Sequence, residues 1–170
     1  MKLLTYARSI VGRAQRGRRG QSLVEFAMVA PLFFLLIFGI TDFGRLFFTQ
    51  QTLQFALREA GRYAVTGQHL PGIDPGTGQV YNRVASIKQI ATAKAAGLNV
   101  SNIDIKAIDS NGQPDAVHPA GLPGETIIIS LTTDLTLITP LIGRYFPNGV
   151  YEFKVSTSFK NEPFDIGSSD

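Results

Sequence analysis

Arg18-Arg19-Gly20-Gln21-Ser22-Leu23-Val24-Glu25-Phe26 opens a long apolar run, and its reading decides how the chain is organised. A basic stretch ends at a glycine, and a single carboxylate, Glu25, follows just inside the run. No further charge occurs from Phe26 to Thr41. Leu23 to Thr41 is 19 residues, roughly 28 Å of helix at 1.5 Å per residue. A hydrocarbon core of roughly 30 Å is crossed by such a length with little tilt. The stretch therefore predicts a membrane-spanning helix over about 23–41.

Glu25 is the anomaly of that helix. A carboxylate near the start of a span costs free energy unless it is neutralised or paired, which makes it a functional candidate. The plainer reading has Glu25 snorkelling at headgroup depth, favoured by the positive end of the helix dipole. Position alone leaves both readings open. Pro31 lies within the run, where it removes one backbone hydrogen bond and is expected to kink or loosen the helix near Ala27. Asp42 and Arg45, three residues apart, mark the expected exit into water.

Gly20-Gln21-Ser22-Leu23-Val24-Glu25-Phe26-Ala27 resembles the processing site of type IV pilin-like precursors. Together with Pro31, the Phe/Leu-rich core and Gly39-Ile40-Thr41-Asp42-Phe43-Gly44-Arg45, it resembles the TadE-like family, pseudopilins of the tight-adherence (Flp pilus) assembly system. The resemblance covers about Arg18 to Tyr63. It implies cleavage between Gly20 and Gln21 by a prepilin peptidase. It also implies a subunit-docking role for Glu25, paired with the free amine that cleavage creates on a neighbour. Ser22, Phe26, Pro31, Asp42, Gly44 and Arg45 are the other motif positions it marks.

Charge supports a topology. Residues 1–20 carry six basic side chains (Lys2, Arg8, Arg13, Arg16, Arg18 and Arg19) and no acid. Removing these six from the formal +3 of the whole chain leaves −3 over residues 21–170. The basic character thus belongs to the leader. With an apolar run directly behind them, these charges are better explained by topology than by nucleic acid. The positive-inside rule puts the N-terminus in the cytoplasm and the rest outside. An ordinary secretory signal is disfavoured, because no small-x-small cleavage pattern follows the run before Asp42 and Arg45. An uncleaved anchor and a precursor cut after Gly20 both remain. There is no cysteine, so no disulfide or thiolate metal site contributes to the external domain.

Beyond the span, Phe43, Leu46, Gln50, Leu53, Leu57, Ala60 and Ala64 recur at helical spacing, with Arg45, Thr49, Thr52, Glu59 and Arg62 opposite. One helix from about Ser22 to Thr66 is expected, capped by Gly67, with its stripe packed on its own domain rather than in a coiled coil. Gln68–Gly78 reads as a loop. A second helix is expected over about Gln79 to Ala96, with Arg83, Lys88 and Lys94 on its wet face.

From Asn99 the period becomes two. Segments around Ile103–Ala107, Ile127–Leu137 and Tyr151–Phe159 predict a three-stranded antiparallel sheet covered on one face by a helix. A loop over Asp109–Gly124 joins the first two strands, and one helical turn is expected near Leu141–Tyr145. Asn161–Asp170 reads as a polar tail. Asp109, Asn111, Gly112 and Asp115 lack the alternating ligands and closing glutamate of a calcium loop, so an Asn-Gly turn is expected. His69 and His118 fall in loop contexts.

The expected architecture is α+β: a basic leader (1–20), a long helix (21–66) and a small extracytoplasmic domain (67–170). By resemblance the chain is a pseudopilin-like, single-pass protein of a bacterial inner membrane, working with a prepilin peptidase, other pilin subunits and the pilus machinery. Whether it enters the fibre is left open. No cofactor, metal or nucleic-acid partner is expected, and no enzymatic activity, although a site assembled from the long loops stays open as an alternative. So does an uncleaved, membrane-anchored binding or scaffold protein.

Overall fold

The computed structural model describes residues 16–165; most of the basic leader lies outside them. The first helix, α1, runs Arg16–Ala64 without interruption. It therefore starts inside the expected leader and passes straight through Gly20 and Pro31. Gly67 ends it as expected: its φ is +71°, a conformation cheap only for glycine, and its N–H donates to the Ala64 carbonyl at 3.3 Å.

Helix α2 spans Arg83–Lys94, later than its apolar spacing suggested. Asn82 is its N-cap, the side chain accepting from Ala85 N at 2.7 Å. The preceding residues go elsewhere: Val80 bridges to Ile73, and Tyr81 N donates to the Gly72 carbonyl. Those backbone bonds hold 79–81 out of the helix.

The sheet has four strands rather than three. They are β1 (Val100–Ile108), β2 (Pro114–Asp115), β3 (Thr126–Thr136) and β4 (Val150–Lys160), in the order β2-β1-β3-β4 and antiparallel throughout. The added strand is two residues long and lies within the loop expected at 109–124. The Asp109 carboxylate accepts from Asn111 N and Gln113 N, and Gly112 has φ +79°. That Asn-Gly turn folds Pro114 and Asp115 back onto β1. Two residues are too few for periodicity to reveal. A one-turn helix, α3 (Pro140–Gly143), and a 3-10 turn (Pro147–Gly149) occupy the connection from β3 to β4.

The core lies between the C-terminal half of α1, α2 and one face of the sheet. Leu53, Ala56, Leu57, Ala60 and Ala64 meet Ile87, Ala91 and Ala95 of α2 and its end, and Ile105, Ile127, Ile129 and Leu131 of the sheet. Domain packing thus accounts for the stripe from Leu53 onward. Its first member does not join: Phe43 is exposed, while Thr49, expected on the wet side, is fully buried. Gly61 permits the closest approach. A Cβ there would stand 2.1 Å from the Phe159 ring, so β4 can lie against α1 only over a glycine. The expected polar tail is docked at its start, with Asn161 buried and Glu162 N donating to the Val65 carbonyl.

Candidate functional site

Two sets of sequence-marked residues lie on α1, 17 residues apart between Glu25 and Asp42 and hence about 26 Å along its axis. The first set is Gly20, Gln21, Ser22, Glu25, Phe26 and Pro31, all exposed on helical backbone. Gln21 Nε2 donates to Glu25 Oε1 at 3.1 Å, one helical turn apart. A Cβ on Gly20 would meet nothing within 4 Å, so packing gives no reason for glycine there. Around this set the helix is apolar on every side and uncovered. Leu23, Phe26, Met28, Leu32 and Leu36 are all more than half exposed. Among the described residues α1 is the one helix long and apolar enough to cross a membrane, by length and composition.

The second set was expected to mark an exit into water, and there the domain, rather than solvent, covers Asp42. It is 7% exposed. Its carboxylate accepts from Ile138 N at 3.0 Å to each oxygen, from Thr139 N at 2.8 Å and from Thr139 Oγ1 at 2.7 Å. Arg45 Nη1 sits 3.5 Å from Asp42 Oδ1 and donates to the Thr136 carbonyl at 2.8 Å. Burial pushes the Asp42 carboxyl up. The N–H of Ile138, the hydroxyl and N–H of Thr139, and the Arg45 charge outweigh it and hold the group below the usual carboxylate range. Asp42 and Arg45 are therefore a latch that fixes the end of β3 to α1. Gly44, between them, faces open space.

Arg83 is the residue that sequence reasoning misplaced most. Expected on a wet face, it is 7% exposed. Its guanidinium donates to the Ala64 carbonyl at 2.9 Å and to the Gly121 carbonyl, and it lies 4.4 Å over the Phe164 ring. It serves the last carbonyls of α1, where a cation is favoured. No local pattern announces this, because the carbonyls it serves lie 19 and 38 residues away.

Arg83 also lines an open cleft of about 150 Å3 with Asn82, Val84 and residues 117–121. His118, at its edge, is half-buried, with Nδ1 3.0 Å from Asp115 Oδ2; His69 is exposed. Among the described residues no three His, Asp or Glu side chains gather as a metal site.

A family model described as TadE-like protein matches residues 20–62. Comparison with curated proteins and with solved structures gave no match. The matched segment runs along α1 and includes both Glu25 and the Asp42–Arg45 latch. The family connects the chain with tight-adherence pili and its apolar helix with membrane anchoring. From Gly20 to Arg62, then, the chain is similar to TadE-like proteins.

Proposed function

We propose that the chain is a non-enzymatic, single-pass pseudopilin-like component of tight-adherence pilus assembly. Its N-terminus lies in the cytoplasm and its α+β domain outside the bacterial inner membrane. The observation that carries this reading is the family match over a helix that is apolar on all sides, uncovered by the domain, and interrupted by one carboxylate. Prepilin peptidase cuts after Gly20. The α-amine so created on Gln21 of one subunit then pairs with Glu25 of the next. At the edge of hydrocarbon such a pair is weakly screened by solvent, and an unpaired charge is costly, so docking gains a direction. Among the described residues the competitor for that carboxylate is the neutral Gln21 amide, which a cationic partner displaces readily.

Glu25→Gln and Glu25→Ala should insert and mature normally yet lose co-purifying pilin subunits. Wild-type yield of those subunits with either variant, leader removed, would defeat the docking role and leave Glu25 as a snorkelling carboxylate.

A second reading is favoured by one observation: α1 runs unbroken from Arg16 across the Gly20–Gln21 bond. A peptidase must unwind that turn, and an uncleaved scaffold anchor has no need to. Intact mass of the membrane-extracted protein separates the two, with loss of residues 1–20 expected for the pseudopilin and blocked by Gly20→Val.

A further inference from the structure

The connection between β3 and β4 is longer than the sheet requires. It occupies residues 137–149, whereas antiparallel neighbours are commonly joined by about 2–5 residues. Three of its large apolar side chains are uncovered: Ile138 is 47% exposed, Ile142 43% and Tyr145 83%. Its position on α1 is set by the latch, since Ile138 N and Thr139 N both bond to Asp42. Asp42 is the first residue beyond the apolar run, so this connection lies level with the end of that run. Phe43 and Phe47 of α1 are also uncovered at this level, 71% and 54% exposed.

We infer that residues 137–149 form an interfacial foot that rests the domain on the outer leaflet of the bilayer. The inference depends on residues 23–41 spanning the membrane, as proposed above. Bilayer headgroup layers are roughly 5–8 Å deep on each side of a hydrocarbon core of about 30 Å. Phe43 and Phe47 stand two and six residues past Thr41, about 3 and 9 Å along the helix, so the exposed aromatics of α1 run from within that layer to its outer edge. Tyr145 suits it as well, with an apolar ring and a polar tip. Arg144 is exposed beside it, a cation for lipid phosphates. The apolar surface and the charge fit the leaflet. The latch then has a mechanical role: it ties two membrane contacts, span and foot, so that the domain cannot swing freely about α1.

The chain contains no tryptophan, so Tyr145→Trp places a single reporter in the foot. The full-length variant is reconstituted into phosphatidylcholine–phosphatidylglycerol vesicles, with and without brominated acyl chains. Blue-shifted emission that brominated lipid quenches is the expected result. Leu32→Trp, in the middle of the run, tests the span separately. If the Leu32→Trp protein is quenched while the Tyr145→Trp protein emits as in water, the foot is wrong and the span stands. If the Leu32→Trp protein is unquenched, the span fails and the foot fails with it. Blue-shifted emission from the Tyr145→Trp protein that ignores brominated lipid and depends on protein density overturns the lipid assignment in favour of a second copy of the chain.

Discussion

The two halves of α1 are apolar in different ways. From Leu53 to Ala64 the buried residues fall on one stripe, and Arg58 and Arg62 point to water. From Leu23 to Ile40 leucine, phenylalanine and isoleucine occur all round the helix, and none of the most apolar window is buried. One helix thus meets two environments. A stripe says that the rest of the molecule supplies the apolar solvent; an all-round apolar surface says that something else does. Asp42 and Arg45 stand at the junction, where the domain first touches the helix.

The largest test of this contrast is a paired truncation. Leu57 is 2% exposed, and Leu57→Ala should destabilise the domain by about 2–5 kcal/mol through lost burial and a residual cavity. Leu36, 57% exposed, should change the same transition by less than about 0.5 kcal/mol when replaced by alanine. Denaturant unfolding in detergent, followed by the sheet signal, measures both. A loss at Leu36 comparable to that at Leu57 would mean that the domain covers the first half of α1 in solution.

Next in size is the junction. Asp42→Asn keeps one acceptor oxygen but turns an NH2 group toward donors, and removes a charge-assisted set worth about 1.5–3 kcal/mol. The sign with pH follows from the lowered native carboxyl. Its stabilisation is fully present above the unfolded value near 3.8 and is lost as pH falls through the lower native value. Wild type should therefore lose more stability than Asp42→Asn between about pH 5 and the acid limit. Some acid sensitivity persists in the variant, because the N–H of Gln113 holds Asp109 low and the N–H of His118 holds Asp115 low. Parallel stability–pH curves for the two proteins would remove Asp42 from the latch.

What the sequence disclosed follows the same division. The apolar run, the stripe from Leu53 and the three long strands are local periodicities, and they appear where expected. What was hidden depends on partners far along the chain. Asp42 is buried by bonds to residues 96 and 97 positions away, and Arg83 by carbonyls of Ala64 and Gly121. Phe43 has the spacing of a core residue but is 71% exposed, although Asp42 and Arg45 on either side of it bond to the end of β3 and the residues after it. Thr49, fully buried, falls opposite the stripe by spacing and is polar, so neither its position nor its type marked it as core. Of the candidate site, the motif positions were legible but the function of Asp42 and Arg45 was not. Their spacing on one helix reads as a local ion pair, whereas the hydrogen bonds that matter reach across to the end of β3.

The smallest expected effect uses one substitution at two places on the same helix. At Gly61 a methyl group meets the Phe159 ring at 2.1 Å, and Gly61→Ala should destabilise the domain by about 1–3 kcal/mol through overpacking. At Gly20 the same methyl meets nothing, so only backbone entropy changes. Alanine there should favour the helix by about 0.5–1 kcal/mol, slowing amide exchange over residues 20–24 by about two- to fivefold without moving the unfolding of the domain. This local softness bears on the cleavage proposed above, because a peptidase would have to open the turn that contains the Gly20–Gln21 bond. Gly20→Ala should then be cut more slowly than wild type, though less severely impaired than Gly20→Val, whose branched side chain also hinders approach to the bond. Exchange mass spectrometry and a cleavage time course on the same samples link the two effects. If exchange slows in Gly20→Ala while cleavage keeps its wild-type rate, glycine is not there to soften the helix, and its reason lies in the space it leaves for the peptidase.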